Sequence, residues 1–146
     1  MLVALPVQAE PRAPMYWRRR FLGETDQARV VRAFAAHLLA GFPALDDVLL
    51  VLNELVVNAL RHTRSGEDGG HFIVEISQDT RVVLVSVTDE GGPSTPSRRP
   101  AQVPSEITAL RECGRGLLTV EALAGRWSWT GDSTGRTVHA TFAACP

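Results

Sequence analysis

The sequence contains no lysine; all fifteen of its cations are arginine. That excludes a P-loop phosphate lysine and any chemistry that runs through a lysine amine. Cysteine is nearly absent as well. Cys113 and Cys145 lack C-x-x-C spacing and are too few for a disulfide framework, so a reduced, cytoplasmic protein is expected. No apolar run approaches the length of a membrane span. The first ten residues, MLVALPVQAE, have no basic start and too short an apolar run for a secretory signal. The formal net charge of −1 supplies no electrostatic footprint for direct nucleic-acid binding or for an acidic membrane. What remains is a chain of 146 residues, 45% hydrophobic and 21% charged, which fits one soluble domain able to bury a core.

Residues 1–15 carry three prolines and no periodicity, and read as a flexible N-terminal arm ahead of a domain over 16–146. "YWRRRFLG" has the character of an edge strand ended by Gly23. Thr25 is the expected N-cap of a helix carrying Ala28, Val31, Phe34, Ala35, Leu38 and Leu39 at helical spacing, with Gly41 and Pro43 beyond its end. A second helix is expected from about Ala44 to His62. Two strands follow, "HFIVEIS" and "RVVLVSVTD", the second apolar on both faces as a central strand should be. Four prolines between Glu90 and Cys113 mark a long loop, of the kind that serves as a lid or stays disordered. "GRGLLTVEALAG" returns to helical spacing, and "RWSWT" and "RTVHATFA" close a hairpin around "GDSTG". Helices and antiparallel neighbours segregate along the chain, which predicts an α+β two-layer sandwich with helices on one face.

The second helix, "LNELVVNALRHT", poses a physical problem. With Glu54 set at zero on a helical wheel, Asn58 lies about 40° to one side and Arg61 about 20° to the other. Leu50, Val51 and Val57 lie within roughly 60° of Glu54, and Leu45, Val48, Leu52, Leu55, Val56 and Ala59 fill the opposite half. The polar stripe is therefore narrow and walled by apolar residues, unlike a solvated helix face. Two readings are open. One is a partly exposed stripe holding a weak contact between Glu54 and Asn58 or Arg61. The other is a cleft that solvates or pairs the carboxylate, because burying it alone costs several kcal/mol.

Three further motifs bear on the choice. "TDEGGP" puts Asp89 at the end of an apolar strand, followed by glycines that admit close backbone approach or simply make a turn. "GRGL", residues 114–117, places two glycines at a helix start, either as a hinge or as free N–H groups suited to phosphate. "GRTVHATF" sets Thr137 just inside the last strand.

The order "ELVVNALRH", "DEGG", "GRGL", "GRTVHATF" resembles the four boxes of the GHKL ATPase superfamily, over roughly residues 20–143. Its layout is most similar to the anti-sigma-factor serine kinase branch, in particular to the small stand-alone ATP-binding regulators of actinobacteria. The resemblance implies a Bergerat-type mixed β-sheet backed by helices, with a flexible ATP lid over about 90–113. It implies Glu54 as the general base and Asn58 as the ligand to Mg²⁺ on the phosphates. Asp89 would accept from the adenine amine and Gly91 would let the base approach the backbone. Gly114, Arg115, Gly116 and Leu117 would wrap the phosphates, and Thr137 would lie by the adenine pocket. Arg61 stands where a cation near the phosphates is expected; the alternative is that it is solvated. Pro93 departs from the family box, where a glycine is usual; it removes an N–H and stiffens that end of the lid.

The function implied is ATP-dependent phosphorylation of a serine or threonine on a STAS-type anti-anti-sigma antagonist, in a partner switch that also engages a sigma factor. A homodimer through the first strand is a further expectation. The alternative is a nucleotide-dependent protein-binding module with little or no turnover.

Overall fold

The computed structural model describes residues 14–79, 81–92, 124 and 126–143. Five strands and two helices are ordered along the chain as β1 (Met15–Leu22), α1 (Gln27–Leu38), α2 (Leu45–His62), a 3-10 turn (Arg64–Gly66), β2 (His71–Gln78), β3 (Val82–Asp89), β4 (Arg126–Asp132) and β5 (Gly135–Ala143). The strands form one sheet in the order β1-β2-β3-β5-β4. The resemblance implies a mixed sheet, but all four pairings among the described strands are antiparallel. The short β2–β3 and β4–β5 links leave no room for the crossover that parallel neighbours need.

Strand alternation decides the core. Phe72, Val74 and Ile76 of β2, Val83, Val85 and Val87 of β3, and Val138, Ala140 and Phe142 of β5 are all buried on one face. α2 covers that face with Val48, Val51, Leu52, Leu55, Val56 and Ala59, packing on β3 and β5. α1 packs beside it through Ala28, Val31 and Ala35, whose small size at helical spacing lets the two helices approach. Each large aliphatic side chain buried this way contributes about 1.5–3 kcal/mol. At the β1 end an aromatic group completes the layer: Phe21 stacks on Phe72 with centroids 5.3 Å apart, and Trp17 on Phe34 at 5.6 Å. Arg19 covers this group, its guanidinium 4.6 Å from the Phe34 centroid.

Several boundaries differ from expectation. Asp26, not Thr25, is the α1 N-cap, and it makes no side-chain cap bond. β1 begins at Met15, inside the stretch read as an arm. The third position of difference is β3: Val82 is exposed and Leu84 only partly buried, so the strand is central but buried chiefly on one face. Residues 93–123, which hold most of the expected lid and the start of the expected third helix, lie outside the described residues.

Candidate functional site

Glu54 and Asn58 are half-buried on α2, outside the set of residues the helix buries. Four residues of helix rise about 6 Å, so both side chains can address one small group. Among the described residues neither the Glu54 carboxylate nor the Asn58 amide has a hydrogen-bond or ion-pair partner. The weak contact proposed for a solvated stripe does not form. Arg61, further along the same stripe, is exposed.

The C-terminal end of α2 is fastened to the end of β3. Thr63 Oγ1 donates to the Ala59 carbonyl at 2.6 Å and accepts from the Ser65 N–H at 3.1 Å, which turns the chain out of the helix. The next N–H, that of Arg64, donates to the Gly91 carbonyl at 2.7 Å. Gly92 lies so near the last turn that a Cβ there would sit 3.1 Å from the His62 carbonyl oxygen. Ser65, fully buried, accepts from the Glu90 N–H at 2.9 Å. The Glu90 side chain in turn accepts from the His71 N–H at 2.7 Å.

Asp89 sits at the head of this junction. Alternation with Val83, Val85 and Val87 puts it on the helix-covered face of the sheet, 8% exposed. Its Oδ1 accepts from the Gly91 N–H at 2.6 Å. Burial pushes its carboxyl above the ordinary range, while the Gly91 bond and the Arg136 charge pull the other way. Gly91 has φ of +78°, and a Cβ on it would stand 2.1 Å from the Ser133 carbonyl oxygen, so only glycine fits between β3 and the β4–β5 turn.

Two arginines hold that turn in place. Arg64 Nη2 donates to the Glu90 carbonyl at 3.2 Å and the Ser133 carbonyl at 2.6 Å. Arg136, 3% exposed, donates from Nη2 to the Gly92 carbonyl and from Nε to the Asp132 carbonyl at 3.0 Å. Each guanidinium thus joins one carbonyl of the 90–92 segment to one carbonyl of the turn.

The structure does not bring Thr137 to Asp89. Thr137 points to the opposite face of the sheet, where its hydroxyl pairs with that of Thr88. Arg136 occupies the inner position and is the direct register partner of Asp89. Gly114, Arg115, Gly116 and Leu117 lie outside the described residues. Arg136, Arg64 and Ser65 are the site residues that sequence reading missed. For Arg136 a signal existed, because counting back by twos from Phe142, Ala140 and Val138 lands on it.

A family model described as a histidine kinase-like ATPase domain matches residues 23–142. The chain belongs to the histidine kinase-like ATPase family. Among solved structures, twelve chains match. One is the crystal structure of the RsbU and RsbW domains of Rv1364c from Mycobacterium tuberculosis, with a TM-score of 0.61 and 22% identity. The likeness covers 91% of this chain and 33% of that one, so the chain spans about a third of that protein's length. At that identity the likeness establishes the shared fold. No match was found among curated proteins.

The residues present suit what such a domain binds. Asp89 offers a buried acceptor of the kind an exocyclic amine satisfies. Asn58 offers a neutral amide oxygen, and the described residues hold no cluster of three or more acidic, histidine or cysteine side chains. A divalent cation here would therefore take most of its oxygens from phosphate and water, as Mg²⁺ commonly does.

Proposed function

We propose that this chain is an ATP-binding regulator that transfers the γ-phosphate of ATP to a serine or threonine hydroxyl of an antagonist protein, as anti-sigma-factor kinases do. The observation that carries the reading is the Glu54–Asn58 pair, without a partner among the described residues, on a helix whose end is fastened to the Asp89–Gly92 segment. Asp89 accepts from the adenine amine. Asn58 supplies an amide oxygen to Mg²⁺, which when bound neutralises phosphate charge. Glu54 accepts the proton of the attacking hydroxyl while the γ-phosphoryl group passes from ADP to that oxygen. The rate gain then rests on positioning and on neutralised charge, with little covalent work for the protein. Partners that fit are a STAS-type antagonist as phosphate acceptor and a sigma factor held in the alternative state.

Label transfer from γ-labelled ATP to a STAS-type antagonist, comparing wild type with Glu54→Ala, tests the reading. Transfer by wild type and its loss in the variant are expected; equal labelling removes Glu54 from the mechanism. A second reading, a protein-binding module without turnover, draws on Pro93 in the glycine box. Calorimetry that shows nucleotide binding together with no transfer to any partner would favour it.

A further inference from the structure

Arg136 is an unusual residue to bury. It is a permanent cation, 3% exposed, on the covered face of the sheet and in direct register with Asp89. Its Nε and Nη2 bonds run to main-chain carbonyls, those of Asp132 and Gly92. Among the described residues its positive charge is therefore not consumed by an ion pair at hydrogen-bonding distance. Across the register its partner is Asp89, whose Oδ1 accepts from the Gly91 N–H.

We propose that Arg136 sets the base specificity of the site, by holding Asp89 as a pure hydrogen-bond acceptor and so making the pocket select a 6-amino purine over a 6-oxo purine. The proposal rests on the reading of Asp89 as the base-binding residue and assigns a positioning role to its neighbour. A carboxylate can accept from the 6-amine of adenine and repels the 6-oxygen of hypoxanthine. A carboxylic acid has an O–H that donates to that oxygen, so protonation would erase the discrimination. Burial pushes Asp89 toward the acid form, and the Arg136 charge opposes it.

The other polar groups around Asp89 do not replace that charge. From the 3-10 turn, Arg64 reaches the Glu90 and Ser133 carbonyls but is itself exposed, so water screens its charge. Glu90 is engaged by His71 of β2, 3.6 Å from its Nδ1. From α2, His62 presents its carbonyl at Gly92, and Glu54 and Asn58 lie further up the helix. Asp132 of the turn is bonded to Thr134. The Coulombic pull on Asp89 comes from Arg136.

ATP and ITP differ at the purine 6-position and share the triphosphate, so their affinity ratio cancels any effect of histidine protonation on phosphate binding. The experiment measures that ratio between about pH 8 and about pH 5.5 for wild type, Arg136→Lys, Arg136→Gln and Arg136→Met. Arg136→Gln removes the charge and the Nε bond to Asp132 but keeps a side-chain N–H donor, so a second uncharged variant is available if Arg136→Met does not fold. Wild type and Arg136→Lys should prefer ATP by at least about tenfold throughout, the size of one hydrogen bond to a charged group. The uncharged variants should lose that preference as pH falls. Equal weakening of both nucleotides at a constant ratio, or loss of preference in Arg136→Lys, would overturn the proposal by showing a purely structural role. A carbon-detected NMR titration of the Asp89 carboxyl without nucleotide reads the same coupling directly: it should titrate at higher pH in Arg136→Gln than in wild type, and an unchanged midpoint is a second refutation. If wild type binds neither nucleotide while the titration moves as expected, the nucleotide reading fails and the coupling between Arg136 and Asp89 stands.

Discussion

Thr88 and Thr137 face each other across β3 and β5 with their hydroxyl oxygens 2.8 Å apart, on the side of the sheet away from Asp89. That pairing satisfies both hydroxyls without any ligand. It also separates the threonine of the last strand from the site by the thickness of the sheet.

Thr137→Val should therefore leave nucleotide affinity within about twofold of wild type, as expected for a residue outside the contact surface. Stability should fall by about 0.5–1.5 kcal/mol, the usual worth of one intramolecular hydrogen bond that leaves its partner without a mate. Calorimetric titration and urea unfolding read the two effects separately. A large loss of affinity with unchanged stability would place Thr137 at the base after all.

Asp89→Asn should raise the melting temperature of the free protein at neutral pH while weakening ATP binding. The sign follows from the raised carboxyl. Because the folded state binds the proton more tightly than the unfolded chain, folding is favoured as pH falls through the folded value, and the ionised form at neutral pH costs stability. The asparagine escapes that cost and can still accept from the Gly91 N–H. The gain should be largest near pH 8 and should shrink as pH approaches about 4. Scanning calorimetry across pH checks it, and a melting point lower than wild type near pH 8 contradicts the assignment.

Gly91→Ala should cost about 3 kcal/mol or more, since it adds left-handed backbone strain to a collision with the Ser133 carbonyl. Gly69 is the internal control: its φ is also positive, at +77°, but nothing lies within 4 Å of a Cβ built there. Gly69→Ala should lose about 1–2 kcal/mol from conformation alone. Denaturant midpoints of the two variants, compared side by side, separate strain from collision.

Glu54→Ala should not destabilise the fold, because the carboxylate has no partner to lose among the described residues and alanine is the better helix former. Phosphoryl transfer should fall by about 10²–10⁴-fold, the usual worth of a positioned base. Thermal melts alongside transfer rates test the combination. A drop in both would mean that Glu54 serves the structure.

The parts of the fold that follow from local period were legible in the sequence. The apolar half of α2 is buried as its wheel dictates, and β2 alternates as written. What was not legible depends on residues far apart along the chain. Arg64 reaches carbonyls of residues 90 and 133, and no local pattern announces a side chain bonding main-chain oxygens that distant. Thr137 is a different kind of miss. The box resemblance drew attention to a threonine, whereas two-residue alternation from Val138 puts the preceding arginine inward. A buried arginine goes against ordinary burial preference, so composition argued against the right answer. The Thr25 cap failed by one position, the usual fate of a helix end when two capping residues are adjacent.

Arg64 and Arg136 grip the 132–135 corner by its main-chain oxygens, and every residue type carries the same oxygen there. The side chains of Ser133 and Thr134 are exposed and stand outside that grip. Ser133 is thus free to change type without loosening the wall behind the aspartate, whereas Asp132 and Thr134 hold the corner through their own side-chain bonds.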